Sequence, residues 1–337
     1  MKHNITLIPG DGIGPEVTTA TVKILEKSGV KINWEIVRMG AEVIEEFGTP
    51  MPPYVLESIK KNKVALKGPV TTPVGKGFKS VNVTLRQELN LYANIRPIRT
   101  FVGVPSRFEN VDLIIVRENS EDLYAGIEHM ITDDIAESIK IISKKASDRI
   151  VEYAFQIAKE QNRKEVIAVH KANIMKLSDG LFLRCARNIA ETHKDIAFND
   201  VIVDAMSMKL VMNPEKYDVL VMPNLYGDIL SDMAAGLVGG LGLVPGANIG
   251  EEGAVFEPAH GSAPDIAGQD IANPTACILS SVMMLRYIGE MGAADKIEQA
   301  VEAVLKEGKH LTCDLGGNTG TIEFTQVVID KMMELNN

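Results

Sequence analysis

Two aspartates four residues apart, Asp228 and Asp232 in Asn224-Leu-Tyr-Gly-Asp-Ile-Leu-Ser-Asp232, have the types and spacing that most directly suggest chemistry in this chain. A helix puts positions i and i+4 on one face. Two carboxylates there repel unless a cation lies between them, and oxygen donors select Mg2+ or Mn2+. A solvated helix face is the ordinary explanation for a lone D-x-x-x-D. Here the flanks are the apolar run Tyr217–Met222 and the small-residue stretch that follows Asp232, which argues against full solvation.

A second group of residues suits an anion. Ser80 is placed to cap a helix over about 81–90, on which Asn82 and Arg86 are i, i+4 neighbours. A helix N-terminus with a hydroxyl is a good carboxylate site. Arg86, Arg96 and Arg117 each sit at the edge of an apolar element, a pattern that fits a convergent anion site as well as it fits three surface arginines. Tyr124 follows in Glu121-Asp-Leu-Tyr-Ala-Gly126 and, alone, reads as a packed aromatic. Lys171 and Asn173 lie just past the strand Glu165–Val169, at the edge where α/β folds bind ligands.

The elements that must position these residues alternate strand and helix. Ile5–Ile8 is a strand that runs into Gly10-Asp-Gly-Ile-Gly-Pro-Glu16 and a helix to about 28. The glycine spacing is G-x-G-x-G, so the dinucleotide fingerprint fails and a tight turn is the expected role. Further strands are expected at 64–66, 111–116, 201–203 and 217–222, with helices at 54–61, 143–160, 178–194, about 275–289, 292–308 and 321–335. Residues 134–142 read as an arm or edge strand, and Val238–Gly246 as a connection between domains.

Composition sets outer limits. A 337-residue chain exceeds one ordinary core, so two lobes are expected. The net charge of −10 argues against a general nucleic-acid or anionic-membrane surface, so any anionic ligand needs a local basic cluster. Cys185, Cys277 and Cys313 show no paired spacing and fit a reducing compartment. Neither a leader nor a long apolar span is legible, and the cytoplasm is the expected location.

Taken together, GDGIGPE at 10–16, LRQELNLYANIRP at 85–97, RENSEDLYAGIEH at 117–129, HKANIMKLSDGLF at 170–182, NLYGDILSD at 224–232 and HGSAPDIAGQDIANPTA at 260–276 resemble the β-decarboxylating dehydrogenases that act on isocitrate, isopropylmalate, homoisocitrate or tartrate. The resemblance implies an α/β fold that is not Rossmann. It implies a large domain from residues 1–95 and 243–337, and a small domain from 96–242 with an intersubunit clasp near 122–143. Lys79-Ser80-Val81-Asn82 is similar to the pattern of the isocitrate members. This implies oxidative decarboxylation of isocitrate to 2-oxoglutarate and CO2 with reduction of NAD. The alternatives are homoisocitrate or 3-isopropylmalate as substrate, or a regulatory subunit of a hetero-oligomer.

Carried over by position, Ser80, Asn82, Arg86, Arg96 and Arg117 would bind substrate. Asp204, Asp228 and Asp232 would hold Mg2+ or Mn2+. Lys171 would act as base and Tyr124 as acid. Thr72, Asn173, His260, Gly261, Asp265, Ile266 and Asn273 would face NAD, with the acidic Asp265 disfavouring the 2′-phosphate of NADP. The resemblance also implies a homodimer, possibly a tetramer, in which Lys171 and Asp204 serve the partner's site.

Overall fold

The computed structural model describes residues 2–72 and 80–335. Lys79, part of the substrate-reading segment, lies outside them. One sheet of ten strands runs through the molecule, in the order β2-β1-β3-β12-β11-β4-β5-β10-β8-β9. The strands are β1 (Lys2–Ile8), β2 (Lys31–Ile36), β3 (Val64–Lys67), β4 (Ala93–Arg99), β5 (Asp112–Glu118), β8 (Glu165–His170), β9 (Ala197–Ile202), β10 (Val219–Met222), β11 (Pro245–Ile249) and β12 (Ala254–Pro258). Both flanks of the sheet are parallel. Only the central pairs β12–β11, β11–β4 and β4–β5 are antiparallel. β6 (Glu128–Thr132) and β7 (Ile135–Ser138) form a separate antiparallel hairpin whose residues are all exposed.

Strand alternation decides what each face carries. Ala93, Ile95, Ile114, Val116, Ala247, Ala254 and Phe256 point to one face, where they join a single core cluster. That face is covered by α1 (Gly14–Lys27), α5 (Lys144–Glu160), α6 (Ser178–Ala190), α9 (Thr275–Tyr287), α10 (Met291–Glu307) and α11 (Thr321–Glu334). The other face is covered in two pieces. After the short α2 (Ile44–Phe47), α3 (Pro53–Asn62) and α4 (Val81–Glu88) pack over the β1–β3 side, while α7 (Val203–Met212) and α8 (Asn224–Leu237) pack over the β8–β10 side. Between these patches the central strands turn Lys67, Asn94, Arg96, Arg117, Gly246, Asn248 and Glu257 to the same face, because each is one residue out of phase with the apolar set. A polar strip is thereby left uncovered between α4 and α8.

The glycine turn at 10–14 has a structural purpose. Asp11 and Ile13 donate their backbone N–H groups to Pro69 O (2.8 Å) and Ser262 O (2.9 Å). Gly10 and Gly12 have φ +81° and +59°, and a Cβ on them would fall about 2 Å from those same carbonyl oxygens (2.1 and 2.0 Å). The loop is a three-way joint between the ends of β1, β3 and β12. Its amides at 11 and 13 are used by the protein, not offered to a phosphate.

β4 and β11 are paired central strands that the sequence does not announce; Pro97, Pro245 and Gly246 hide them, because such residues normally mark breaks. The arm or edge strand expected at 134–142 takes the form of β7, the return strand of the exposed hairpin, and the segment after it. β9 begins at Ala197, four residues earlier than expected, since an edge strand needs no continuous apolar run, and Asp204 falls in the first turn of α7.

Candidate active site

A cavity of about 300 Å3 occupies the strip between α4 and α8. It is lined by Ser80, Asn82, Arg86, Arg96, Arg117, Tyr124, Asp228, His260 and Gly261, all singled out in the sequence, and also by Lys67 and Glu257. α4 brings the first three: Ser80 caps it by accepting the N–H of Val83 (3.4 Å), and Arg86 lies one turn beyond Asn82. β4 and β5 bring Arg96 and Arg117 through strand parity, and α8 brings Asp228.

The repulsion expected between Asp228 and Asp232 is relieved by arginines. Arg117 binds Asp228, and Arg96 binds Asp232 at 2.8 Å while its other nitrogen lies 3.9 Å from Asp228. Tyr124 donates its hydroxyl to Asp228 Oδ2 at 2.5 Å. Burial pushes the Asp228 carboxyl up, but the guanidinium of Arg117 and the phenol of Tyr124 outweigh it and hold the group below the usual range. The same burial, with the bond to Asp228, raises the Tyr124 phenol. Burial and the nearby Arg86 bring Arg117 down to about 10. Arg117 also crosses Gly227 so closely that a Cβ there would meet its Cγ at 2.4 Å. That contact explains a glycine inside α8.

Reading the sequence alone misses Lys67 and Glu257. Lys67 is 1% exposed and binds Glu257 Oε2 at 2.5 Å, while Arg86 reaches Oε1 at 3.1 Å. Asn248 donates to Glu257 (2.7 Å) and accepts from Asn94 (2.9 Å) and Asn119 (3.1 Å). Although burial opposes ionisation, Lys67 and Arg86 hold the Glu257 carboxyl far below the ordinary range. A lysine closing one strand and a glutamate near the end of another, each out of phase with its apolar neighbours, are the signal that could have revealed the pair.

Three buried polar atoms on this lining have no partner among the described residues: the Asn82 side-chain oxygen, Arg86 Nε and His260 Nε2. Buried polar atoms are nearly always satisfied, so three such atoms around one cavity leave hydrogen-bonding capacity there for water or a bound molecule.

Other candidates lie elsewhere. Lys171 and Asp204 pair with each other at 2.6 Å near the far edge of the sheet and do not line the cavity. Among the described residues, no group of three or more metal-binding side chains forms within the chain. Thr72 accepts the N–H of Val81 (3.0 Å) at the start of α4. Asn273 accepts from Thr275 N and donates to Asp314, so its side chain is committed to the entry of α9. Ile266 packs on Ile13, Val17, Ala272 and Cys277. Asp265 is exposed; its carbonyl binds Gln269, and its carboxylate accepts nothing among the described residues. Asn173 sits exposed in the turn after β8.

The family model described as isocitrate/isopropylmalate dehydrogenase matches residues 4–332. The chain is 54% identical over 328 residues to a probable isocitrate dehydrogenase [NAD] subunit alpha, mitochondrial, of Drosophila melanogaster, covering 97% of this chain and 87% of that one. It is 52% identical to a mitochondrial isocitrate dehydrogenase [NAD] catalytic subunit 5 of Arabidopsis thaliana, covering 97% and 88%. A crystal structure of isocitrate dehydrogenase from Methylococcus capsulatus superposes with a TM-score of 0.95 at 53% identity, covering 98% of this chain and 99% of that one.

Proposed function

The chain belongs to the isocitrate/isopropylmalate dehydrogenase family, and from that premise we propose that it is an NAD-dependent isocitrate dehydrogenase. It oxidises the hydroxyl of isocitrate, passes the hydride to NAD and releases CO2, leaving 2-oxoglutarate. The observation that carries this reading is the cavity lining. Four cationic side chains face two carboxylates there, and three buried polar atoms have no partner among the described residues. Arg86, Arg96 and Arg117 take the carboxylates of a tricarboxylic substrate. Ser80 and Asn82 are small and polar at the point where an alkyl substituent would need apolar walls.

In the reaction, Lys171, acting as the free amine and leaving as the ammonium, accepts the proton of the substrate hydroxyl as the adjacent C–H leaves as hydride, for which NAD is the acceptor. The resulting β-keto acid loses CO2, and the electron pair of the broken C–C bond stays on carbon as an enolate. Tyr124 then delivers its proton to that carbon; its raised phenol keeps the proton available, and Asp228 holds the hydroxyl in place. Asp228 and Asp232 of one chain with Asp204 of a second form an all-oxygen donor set suited to Mg2+ or Mn2+. Such an ion supplies Lewis acidity at the substrate oxygen. Asp228 and Asp232 share one face of α8 and are partly exposed (39% and 53%), which fits this role.

The same reading makes the enzyme at least a homodimer with shared sites. The exposed β6–β7 hairpin carries Met130, Ile131 and Ile135 bare to solvent, and a lone two-stranded ribbon is marginal unless something packs on it. His260 and Gly261 at the cavity and Asp265 beyond it serve NAD, together with Thr72, Asn173, Ile266 and Asn273. All three cysteines are free, which suits a reducing compartment such as the cytoplasm. No helix among the described residues is long and apolar enough to cross a membrane.

The test is cofactor reduction by the purified chain with isocitrate, homoisocitrate or 3-isopropylmalate, each with NAD or NADP and with Mg2+ or Mn2+. Isocitrate with NAD should give the highest kcat/KM. A higher value on either other substrate sinks the substrate reading, and no turnover by the chain alone points to a subunit that needs a different partner.

A further inference from the structure

Beneath the hairpin, four side chains from four segments meet away from solvent. Lys140 extends its ammonium to Asp179 Oδ1 at 2.8 Å, to Asp122 Oδ1 at 3.5 Å and to the Tyr226 hydroxyl at 3.2 Å. It also lies 4.3 Å from the centre of the Tyr226 ring. Both aspartates are fully buried, and among the described residues Lys140 is the one cation within ion-pair distance of them, so a single ammonium is shared by two buried carboxylates. A buried carboxylate without such a partner is costly, so the cluster is held tightly.

The remaining contacts reach outward to functional segments. Asp179 Oδ2 accepts the backbone N–H of Lys171 at 2.6 Å and the hydroxyl of Tyr226 at 3.0 Å. Asp122 Oδ2 accepts the backbone N–H of Leu225 at 2.9 Å, at the start of α8. Asp122 itself has φ 72° and ψ −147°, a conformation that almost only glycine adopts. It leads into the turn that presents Tyr124. One ammonium therefore joins the turn of the proposed acid, the helix of Asp228 and the strand end of the proposed base.

We propose that Lys140 is a positioning residue that sets Tyr124 and Lys171 together and, resting on the shared-site reading above, couples the two active sites of the dimer. In a shared-site dimer, Tyr124 of a subunit works in its own cavity and Lys171 of the same subunit works in the partner's. A single altered Lys140 therefore disturbs both sites at once.

The experiment uses heterodimers purified through two different tags, one subunit wild type and the other Lys140→Met. A displacement of about 1 Å at a reacting group costs up to roughly a hundredfold in rate. The Lys140→Met homodimer should accordingly lose about tenfold or more in kcat, with the isocitrate KM within about twofold, because no binding arginine touches the cluster. The heterodimer should fall well below half of wild-type kcat, and Lys140→Arg should restore much of the loss. Two control heterodimers calibrate it. Wild type with Tyr124→Phe should keep half the activity. Wild type with a subunit bearing both Tyr124→Phe and Lys171→Met should keep almost none.

If that last control keeps half, the two residues act in one site; the shared-site reading fails, and the coupling with it. If it keeps almost none but the Lys140→Met heterodimer keeps half, sharing stands and the coupling is overturned. A lowered unfolding midpoint with unchanged kcat would likewise reduce Lys140 to a structural role. Should Lys140→Met not fold, Tyr226→Phe, which removes one hydroxyl from the cluster, runs through the same arms with a smaller loss expected.

Discussion

The cavity floor and the Lys171–Asp204 pair are built to different standards. In the floor, Arg86, Arg96, Arg117, Lys67 and Glu257 are buried and each lies against an opposite charge. At the other place, Lys171 and Asp204 are 24% and 68% exposed, and among the described residues their ion pair is with each other. Buried charges must be paired or the fold is strongly destabilised, whereas an exposed pair contributes little to stability. Removing a floor charge should therefore damage folding and binding together. Removing Lys171 or Asp204 should damage only what a second molecule completes.

Lys171→Met tests the exposed side most severely. Loss of an acid–base group costs about 10²–10⁴-fold in rate, and kcat for NADH formation should fall in that range while the thermal midpoint stays near wild type. Activity close to wild type would remove Lys171 from the chemistry. Glu257→Gln probes the floor and should cost about 3–5 kcal/mol in urea unfolding at pH 7, since Lys67 and Arg86 lose their shared carboxylate. The sign with pH is defined. The folded carboxyl is held below its unfolded value, so its stabilisation is complete above about 4.3 and fades as pH falls below that. The gap between wild type and variant should narrow on acidification, and a gap constant from pH 7 down to about 3 would contradict the pairing.

The Asp228–Asp232 spacing and the Ser80 cap with Asn82 and Arg86 one turn apart are legible in the sequence itself, whereas Tyr124, Arg117 and Lys171 gain their meaning there only from the resemblance of the motifs that carry them. Lys67 and Glu257 are not legible there: their meaning lies in a contact 190 residues apart, between strands that become neighbours only when the sheet closes. β4 and β11 escape for a related reason. Proline and glycine advertise breaks locally, while both strands are held by partners on each side. The G-x-G-x-G spacing does announce a turn, but the turn's cause, the carbonyls of Pro69 and Ser262, lies far away along the chain.

A smaller effect sharpens the floor's geometry. Gly227→Ala places a methyl against Arg117, an overpacking worth about 1–3 kcal/mol, and the isocitrate KM should rise about tenfold as the guanidinium shifts. An unchanged KM would mean that Arg117 does not touch substrate. The smallest expected change in stability is that of Asp204→Asn. Its carboxyl is held low by the Lys171 ammonium at the surface, and the unfolding midpoint should not move. Titration of the assembled enzyme with Mn2+ should nonetheless show weaker binding, and unaltered affinity would exclude Asp204 as a ligand.

The joint among Asp11, Pro69 and Ser262 sets a timetable for synthesis. β3 has its final neighbours only after β12 has been made, and β12 begins at Ala254. At about 5–20 residues per second, the ribosome needs roughly 10–40 s to cover that interval. Throughout it, β3 presents an unpaired apolar edge, and the glycine turn has one of its two carbonyl partners. The β5–β10–β8–β9 flank is complete in sequence by Met222 and can fold earlier, provided β4 is available beside it. The nascent chain should thus be protected from its middle outward. Limited proteolysis of released chains truncated near 240 should spare residues 93–222 and cleave within 2–67. Equal protection of both segments at that length would show that the amino-terminal strands do not wait for the carboxy-terminal ones.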